Sequence, residues 1–127
     1  MTPTERKQRP VFSGVLAYFP DALLEVAHAS WVGNEQHNPG APLHWDRSKS
    51  SDEADALVRH LLQAGEIDSD GVRHSAKVAW RALALLQKEM EAARATGGAT
   101  VSPAHHGTDT HFAAQVWSGP EGWDGSK

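Results

Sequence analysis

Acidic, imidazole and cationic side chains are concentrated in one stretch of the chain, residues 52–77. They alternate there with apolar residues at helical spacing, which predicts two helices joined by a turn, with one polar flank. Carboxylates and imidazoles ligate divalent metals, and lysine and arginine bind phosphate. The stretch therefore predicts one wall of a metal and phosphate site. Its chemistry-bearing residues are Asp52, Glu53, Asp55, Arg59, His60, Glu66, Asp68, Asp70, His74 and Lys77.

Predicted metal ligands come from the first two helices. Glu25 would lie on the first helix, and Asp52 and Asp55 three residues apart on the second, where carboxylates share one face. Mg²⁺ or Mn²⁺ prefers such oxygen ligands and bridges to substrate phosphates. These acids therefore predict a divalent-metal site between helices, as helix bundles build them.

Further polar residues of the turn complete the predicted chemistry. Glu66 and Asp70 are either additional ligands or orient His60 and His74. One of these four groups would polarise an attacking water. An alternative for His60 is a half-buried structural role.

A substrate site is predicted around the long loop that follows the first helix, residues 33–50. Its composition suits base stacking and phosphate contact more than a spacer. Arg59 has an alternative, which is to pair only with Asp55. The predicted substrate-binding residues are Asn38, Trp45, Lys49, Arg59, Lys77, Trp80 and Arg81, with Trp45 or Trp80 stacking on the base and the four cations holding phosphates.

Several other site types are excluded by the sequence. It has no Walker A loop, no Gly-x-Gly-x-x-Gly, no Gly-x-Ser-x-Gly and no His-Glu-x-x-His. The turn after residue 65 is too short for an EF-hand and lacks its closing Glu. No His-Asp doublet of the HD-type phosphohydrolases occurs.

Length and composition suit a single small domain. The chain has 127 residues, a net charge of -4 and no cysteine, which excludes disulfides and thiolate chemistry and suits a reducing compartment. The negative charge gives no general attraction to nucleic acid or anionic membranes. No apolar run approaches the roughly 20 residues of a membrane span. We therefore expect a cytoplasmic protein with no nucleic-acid or membrane partner.

The secondary-structure elements that position these residues are predicted to be α-helices, so the fold class is all-α. Residues 1–10 read as a flexible basic arm, 11–96 as the helical domain and 97–127 as a flexible, glycine-rich tail. Within the domain, residues 11–19 are expected to form a strand-like or irregular segment that packs on the core.

Three helices are predicted in the domain. The first spans about 20–31, the second begins at a Ser50 or Ser51 cap, and the third spans about 72–95 with Asp70 as its cap. The predicted buried stripes are Ala54, Leu57, Val58, Leu61 and Leu62 on the second helix, and Val72, Ala76, Ala79, Leu83, Leu86 and Met90 on the third.

At these residues the chain resembles the phage-type dATP/dGTP diphosphohydrolase domain family, an offshoot of the all-α, MazG-like nucleoside triphosphate pyrophosphohydrolases. The resemblance covers about residues 11–92. The residues that carry it are Asp21 to Ala27, Asn38, Trp45, Asp55 to Leu61, Gly65, Glu66, Asp68, Asp70, Gly71, His74 and Ala79 to Leu86.

The resemblance implies a small helical bundle that forms a homo-oligomer, a dimer or tetramer, with active sites between helices and often between subunits. It implies metal-dependent cleavage of a purine deoxynucleoside triphosphate, dGTP or dATP, into monophosphate and pyrophosphate. If the protein is phage-encoded, it would act in the host cytoplasm.

The wider superfamily places its metal ligands in a Glu-x-x-Glu and then a Glu-x-x-Asp pattern. The nearest matches are residues 25–28 and 52–55. His28 stands where an acid is expected, so Glu35 supplies the fourth ligand or the site holds fewer ions. The rival interpretation is a non-enzymatic helical interaction module of a phage, whose acids are simply solvated.

Overall fold

A computed structural model describes residues 1–97 of the chain. Four α-helices follow in order: α1 (Pro3–Lys7), α2 (Pro20–His37), α3 (Glu53–Leu61) and α4 (His74–Ala95). A π-helical turn, Phe12–Leu16, precedes α2, and a 3₁₀ turn, Arg47–Lys49, precedes α3. The described residues contain no strand, so the predicted all-α class is confirmed for them. The predicted tail, residues 97–127, lies outside them except for residue 97.

Helix α4 is the element on which the fold is assembled. It is 22 residues long, which corresponds to about 33 Å at 1.5 Å per residue. Helices α2 and α3 each pack against it. The apolar core is small: Ala29, Val72 and Ala76, with Val32 and Trp80 packed against them. One helix therefore positions groups from both neighbours.

The N-terminal segment differs from its prediction. Residues Pro3–Lys7 form a short helix, closed by a capping box in which Thr2 and Glu5 bond reciprocally. Residues 11–19 are largely helical rather than strand-like, and the side chain of Phe12 is 72% exposed. The prediction that this segment packs on the core was therefore wrong.

Among residues 1–97 no single helix is long and apolar enough to cross a membrane. The bent pair Pro3–Leu16 and Pro20–His37, inclined at 87°, meets the length and composition requirements only when taken together.

Helix α2 runs to His37, six residues beyond its predicted end. Gly33 and Asn34, expected to stop it, lie inside the helix and are buried. The Asn34 amide donates a hydrogen bond of 2.9 Å to the carbonyl of Ala41. This bond holds the following loop against the helix. The packing of the loop on α2 outweighs the weak helix propensity of Gly and Asn.

The predicted apolar stripe of the second helix contains no buried residue and was wrong, whereas the stripe of the third helix was correct for Val72 and Ala76, which lie in the core. Helix α3 buries Glu53, Ala56 and His60, while Leu62 just beyond it is 82% exposed. Helix α4 likewise buries polar residues and leaves Leu83, Leu86 and Met90 about half exposed. The charged groups of the two helices neutralise one another across the interface, which is what permits their burial.

Candidate metal and nucleotide site

The turn between α3 and α4 folds as a tight loop that fixes the carboxylates. Asp68 N–H donates to the carbonyl of Val72 at 2.9 Å, and Gly71 N–H donates back to the carbonyl of Asp68 at 2.9 Å. Gly71 has a φ of +83°, which a residue with a side chain adopts only under strain. The Asp70 carboxylate accepts from Val72 N–H at 3.0 Å.

Asp70 therefore caps this turn and does not cap α4, which corrects the prediction. The residue at the N-cap position of α4 is Arg73, and it makes no side-chain cap bond. Helix α3 likewise begins without a serine cap, since Asp52 occupies its N-cap position.

Two histidines and one aspartate converge where the turn joins the helices. His60 Nδ1 lies 2.8 Å from His74 Nδ1, and His74 Nδ1 lies 3.9 Å from Asp68 Oδ2. One ligand atom from each of the three lies within 4.8 Å of the others. Both histidines are buried, with His60 only 1% exposed. We refer to His60, Asp68 and His74 as the triad.

The triad suits a divalent transition metal. Ligands at about 2.0–2.2 Å from a tetrahedral ion are roughly 3.3–3.6 Å apart, and the contacts of 2.8 and 3.9 Å bracket that spacing. Two imidazoles and one carboxylate favour a metal such as Mn²⁺, Fe²⁺, Co²⁺ or Zn²⁺ over Mg²⁺. Three protein ligands would leave coordination positions for water or substrate, as catalytic sites require.

The electrostatic surroundings keep His60 in its ligating form. Burial, followed by the neighbouring Lys77, His74 and Arg81, lowers the pKa of His60 to about 4, and Asp68 opposes this. The imidazole of His60 is therefore neutral at pH 7, as metal binding requires.

Lys77 holds the two aspartates of the turn. Its Nζ lies 2.7 Å from Asp68 Oδ2 and 2.6 Å from Asp70 Oδ2. Burial alone would raise the pKa of Asp68, but the hydrogen bonds from Lys77 and Ser69 N–H outweigh it and hold that pKa below its usual value. Asp68 is therefore ionised next to the histidines.

A second layer of ion pairs lies further along the α3–α4 interface. Lys88 Nζ is 2.8 Å from Oε1 of Glu53, which is 1% exposed. Arg81 is fully buried, with Nη1 4.0 Å from Asp52 Oδ1. Burial lowers the pKa of Arg81 to about 10, although Asp52 and Glu53 oppose this. Arg81 and Lys88 thus extend the row of cations on α4 in the direction away from the triad.

Arg59 pairs with Asp52 at 3.1 Å. The alternative from the sequence, in which Arg59 pairs only with Asp55, is therefore wrong.

A cavity of about 630 Å³ opens between α2, the loop around Trp45 and α4. Trp45 and Trp80 meet edge to face in its wall, with ring centroids 5.7 Å apart. Trp80 Nε1 donates to Ser30 Oγ at 2.6 Å, whereas Trp45 Nε1 is buried and makes no hydrogen bond within residues 1–97. Arg47 stacks over Trp45 at 4.2 Å from the ring centroid. The cavity thus has aromatic walls with an arginine stacked beside them.

A smaller cavity of about 300 Å³ adjoins it, and His44 lines both. Asn38, Asp46 and Lys49 line the smaller one. Two predicted substrate-binding residues, Asn38 and Lys49, are thereby brought together, next to the two predicted aromatic residues.

The predicted catalytic residues differ in how close they lie to one another and in their exposure. His60 and His74 lie in contact. Asp70 is connected to this pair through Lys77, whose Nζ contacts both Asp70 and Asp68. Glu66 is exposed at the start of the turn, where its carbonyl accepts from His74 N–H at 3.1 Å.

The predicted metal ligands Glu25, Glu35, Asp52 and Asp55 are not gathered within one chain. Among residues 1–97, the group of three possible ligands close enough to share an ion is the triad. Glu25 and Asp55 are exposed, and the Glu35 carboxylate accepts from Gly40 N–H at 3.4 Å. Their role in metal binding stays a prediction.

Sequence reasoning gave no role to three residues of the site. Asp68 was part of the chemistry-bearing stretch, and its position in a tight turn flanked by His60 and His74 was the available signal. Glu53 resembles an ordinary acid in the first turn of a helix, and Lys88 an ordinary surface lysine. Nothing in their spacing indicates that they pair across helices.

Comparison with known proteins gives one match. A family model described as dATP/dGTP diphosphohydrolase, N-terminal, matches residues 4–96, which is more than half of the chain. No curated protein and no solved structure gives a match.

Proposed function

This chain belongs to the dATP/dGTP diphosphohydrolase N-terminal family, and on that basis we propose that it is a metal-dependent nucleoside triphosphate diphosphohydrolase. Its substrate would be a purine deoxynucleoside triphosphate, dGTP or dATP, which it would split into the monophosphate and pyrophosphate. The observation that carries the proposal is the buried triad with Lys77 beside it.

The triad would hold the divalent metal. A bound ion would supply charge neutralisation on the phosphates and a water of lowered pKa. Mn²⁺ or a similar transition ion fits two imidazole ligands better than Mg²⁺ does. The neutral state of His60 supports this assignment, because a protonated imidazole has no lone pair to offer.

In the reaction, water oxygen attacks the α-phosphorus and the bond from that phosphorus to the α–β bridging oxygen breaks. Pyrophosphate leaves, and the water proton passes to a base. We assign that base to Glu66, because Asp68 and Asp70 are both engaged by Lys77 and Glu66 is an exposed carboxylate at the same turn.

The phosphates would meet the more accessible cations. The side chain of Arg59 is 42% exposed, and Lys49 lines the smaller cavity. Lys77 and Arg81 are buried, so within one chain they would contribute mainly a positive field at the reacting groups.

The purine base would occupy the larger cavity. Its volume of about 630 Å³ lies within the range of about 300–1,000 Å³ that small-molecule sites have. Trp45 and Trp80 supply aromatic surface for stacking.

We also propose a homo-oligomer, either a dimer or a tetramer. Large apolar side chains are exposed on the N-terminal segment, on α3 and on α4, including Phe12, Val58, Leu61 and Met90. Patches of this kind mark contact surfaces. In an oligomer, Glu25, Glu35, Asp52 and Asp55 would be available for a metal site between subunits.

The test measures pyrophosphate release from each dNTP with Mn²⁺, Mg²⁺, Co²⁺ or Zn²⁺. We expect Asp68→Asn to lower kcat by about 100-fold or more, since it removes a ligand charge. Asp21→Asn is the matched control, because Asp21 is an exposed acid in the first turn of α2, and it should leave the rate unchanged. Absence of turnover for every nucleotide and metal would refute the enzymatic proposal.

Asp55→Asn separates the two possible metal sites. If Asp55→Asn abolishes turnover and Asp68→Asn does not, the acids between subunits hold the ion instead of the triad. The interaction-module alternative predicts no rise in melting temperature with metal and dGTP, whereas an enzyme that binds them is stabilised by about 2.7 kcal/mol at 100 times Kd.

A further inference from the structure

The carboxylate of Asp68 lies between two positions for positive charge. Its Oδ2 faces the histidine side of the triad, 3.9 Å from His74 Nδ1. The same oxygen accepts from Lys77 Nζ at 2.7 Å, and Lys77 Nζ also reaches Asp70 Oδ2 at 2.6 Å. Lys77 is 3% exposed, so this ammonium is an internal part of the site.

The arrangement resembles the two halves of a two-metal centre. In such centres two ions about 3.5–4 Å apart clamp the attacking and leaving oxygens of a displacement. Here one half is the triad. The other half would offer Asp70 and the shared Asp68, and Lys77 already fills it.

We propose that Lys77 takes the place of a second metal ion, so that each chain binds one divalent ion and carries its second positive charge permanently. This inference rests on the proposed metal site of the triad. Buried carboxylates require compensating charge, and Lys77 supplies it to Asp68 and Asp70 without any metal. The aspartates are therefore held in place before the ion arrives.

The ammonium also sets how tightly the ion binds. A fixed positive charge on the far side of Asp68 repels a divalent ion and draws electron density from the shared oxygen. It therefore weakens binding at the triad and closes the neighbouring position to another cation.

The position of Lys77 on α4 makes the inference testable. Lys77 is three residues after His74, so both side chains lie on one face of the helix. Replacing Lys77 by histidine would place an imidazole beside Asp68 and Asp70, a set of ligands for a second ion.

The experiment counts metal ions on the full-length chain. The protein is stripped with chelator and titrated with Co²⁺ or Mn²⁺, and bound metal per chain is measured by mass spectrometry and by calorimetry. We expect one ion for the native chain and two for Lys77→His. Lys7→His, which adds a histidine on exposed α1, is the control and should bind one.

Lys77→Gln is the second variant and keeps a neutral donor near the aspartates. We expect its single ion to bind about tenfold or more tightly than in the native chain, because a like charge is gone. Circular dichroism confirms that each variant is folded. If Lys77→His does not fold, the inference is tested by the number of ions bound per native chain and by the metal affinity of Lys77→Gln.

Two results overturn the inference. Two ions per native chain would show that Lys77 leaves the second position open, while the triad site itself would stand. Unchanged or weaker binding by Lys77→Gln would show that the ammonium does not oppose the ion. No metal bound by the native chain at any concentration would instead refute the triad site on which the inference rests.

Discussion

Lys88 Nζ lies 2.8 Å from Oε1 of Glu53, a carboxylate with 1% exposure. The same ammonium donates to the carbonyl of Ser50. This pair fastens α4 to the start of α3. We expect Lys88→Ala to lower the free energy of unfolding by about 3–5 kcal/mol, because it leaves a buried carboxylate unpaired. Urea denaturation followed by circular dichroism measures the change.

Lys7→Ala is the control for that variant, because Lys7 is an exposed lysine on α1 and should change stability by less than about 0.5 kcal/mol. The double variant Glu53→Gln with Lys88→Met should recover part of the loss, since neither member then carries a buried charge. A loss of under 1 kcal/mol for Lys88→Ala would contradict the prediction.

The metal-free protein should lose stability as pH falls from about 6.5 to about 4. The pKa of His60 is lowered to about 4 in the folded chain by burial, whereas that of an unfolded histidine is about 6.5. Between these values the unfolded state binds more protons, so the free energy of unfolding rises with pH. The contribution is fully present above pH 6.5 and amounts to about 3 kcal/mol.

Chemical denaturation of the chelated protein at a series of pH values tests this dependence. His60→Asn should flatten the profile in that window, although it also changes stability at pH 7. His37→Asn, at the exposed end of α2, should leave the profile as it is. An equal slope in His60→Asn and the native chain would exclude His60 as the source.

Trp45→Phe tests the proposed base cavity. It replaces the indole in the cavity wall by a smaller aromatic ring, so less surface is left for stacking and we expect the KM for dGTP to rise up to about tenfold while kcat falls by less. Steady-state pyrophosphate release gives both constants. Trp31→Phe on α2 is the control, because Trp31 is half exposed and stacks on His28 outside the cavity. Equal effects of both variants would place the base elsewhere.

Phe12→Asp tests the proposed oligomer. Phe12 is 72% exposed on the N-terminal segment, and a charge there would be buried in an interface between copies. We expect light scattering after size exclusion to show a smaller species for this variant than for the native chain. Gln8→Asp adds the same charge at an exposed polar position nearby and should keep the native mass. A monomeric native chain at high micromolar concentration would contradict the proposal.

Local signals in the sequence predicted helices well. Pro20 and Asp21 mark the start of α2, and α4 follows from its long periodic pattern. The ends of the helices were less predictable. Gly33 and Asn34 are residue types that commonly end a helix, but α2 continues past them because the Asn34 side chain is hydrogen-bonded to Ala41.

Periodicity predicted the buried helix faces only in part: Val72 and Ala76 lie in the core as expected, but most of the predicted apolar residues are exposed. Apolar periodicity identifies the face that prefers to leave water, such as that of Val58 and Leu61, yet this face is exposed in the single chain. Burial on α3 and α4 instead follows charge pairing between residues far apart in sequence, such as Glu53 and Lys88. A pattern within one helix carries no information about such a partner.

The candidate site was predicted in its residue types more than in its geometry. His60 and His74 were identified from their position at the ends of the turn, and they meet at 2.8 Å. Their third partner is Asp68, whose orientation depends on the backbone of Gly71. Turn geometry of that kind is fixed by a few φ angles that composition does not specify.

The polar interface of α3 and α4 also determines how the two helices align. His74, Lys77, Arg81 and Lys88 of α4 each meet a group on α3 or in the segments next to it. A slip of α4 by one turn, about 5.4 Å, would separate all these contacts together and leave several charges buried without partners. Apolar side chains would tolerate such a slip, because one methyl group substitutes for another. The charge pairs therefore fix how far α4 is shifted along α3 and permit a single alignment of the two helices.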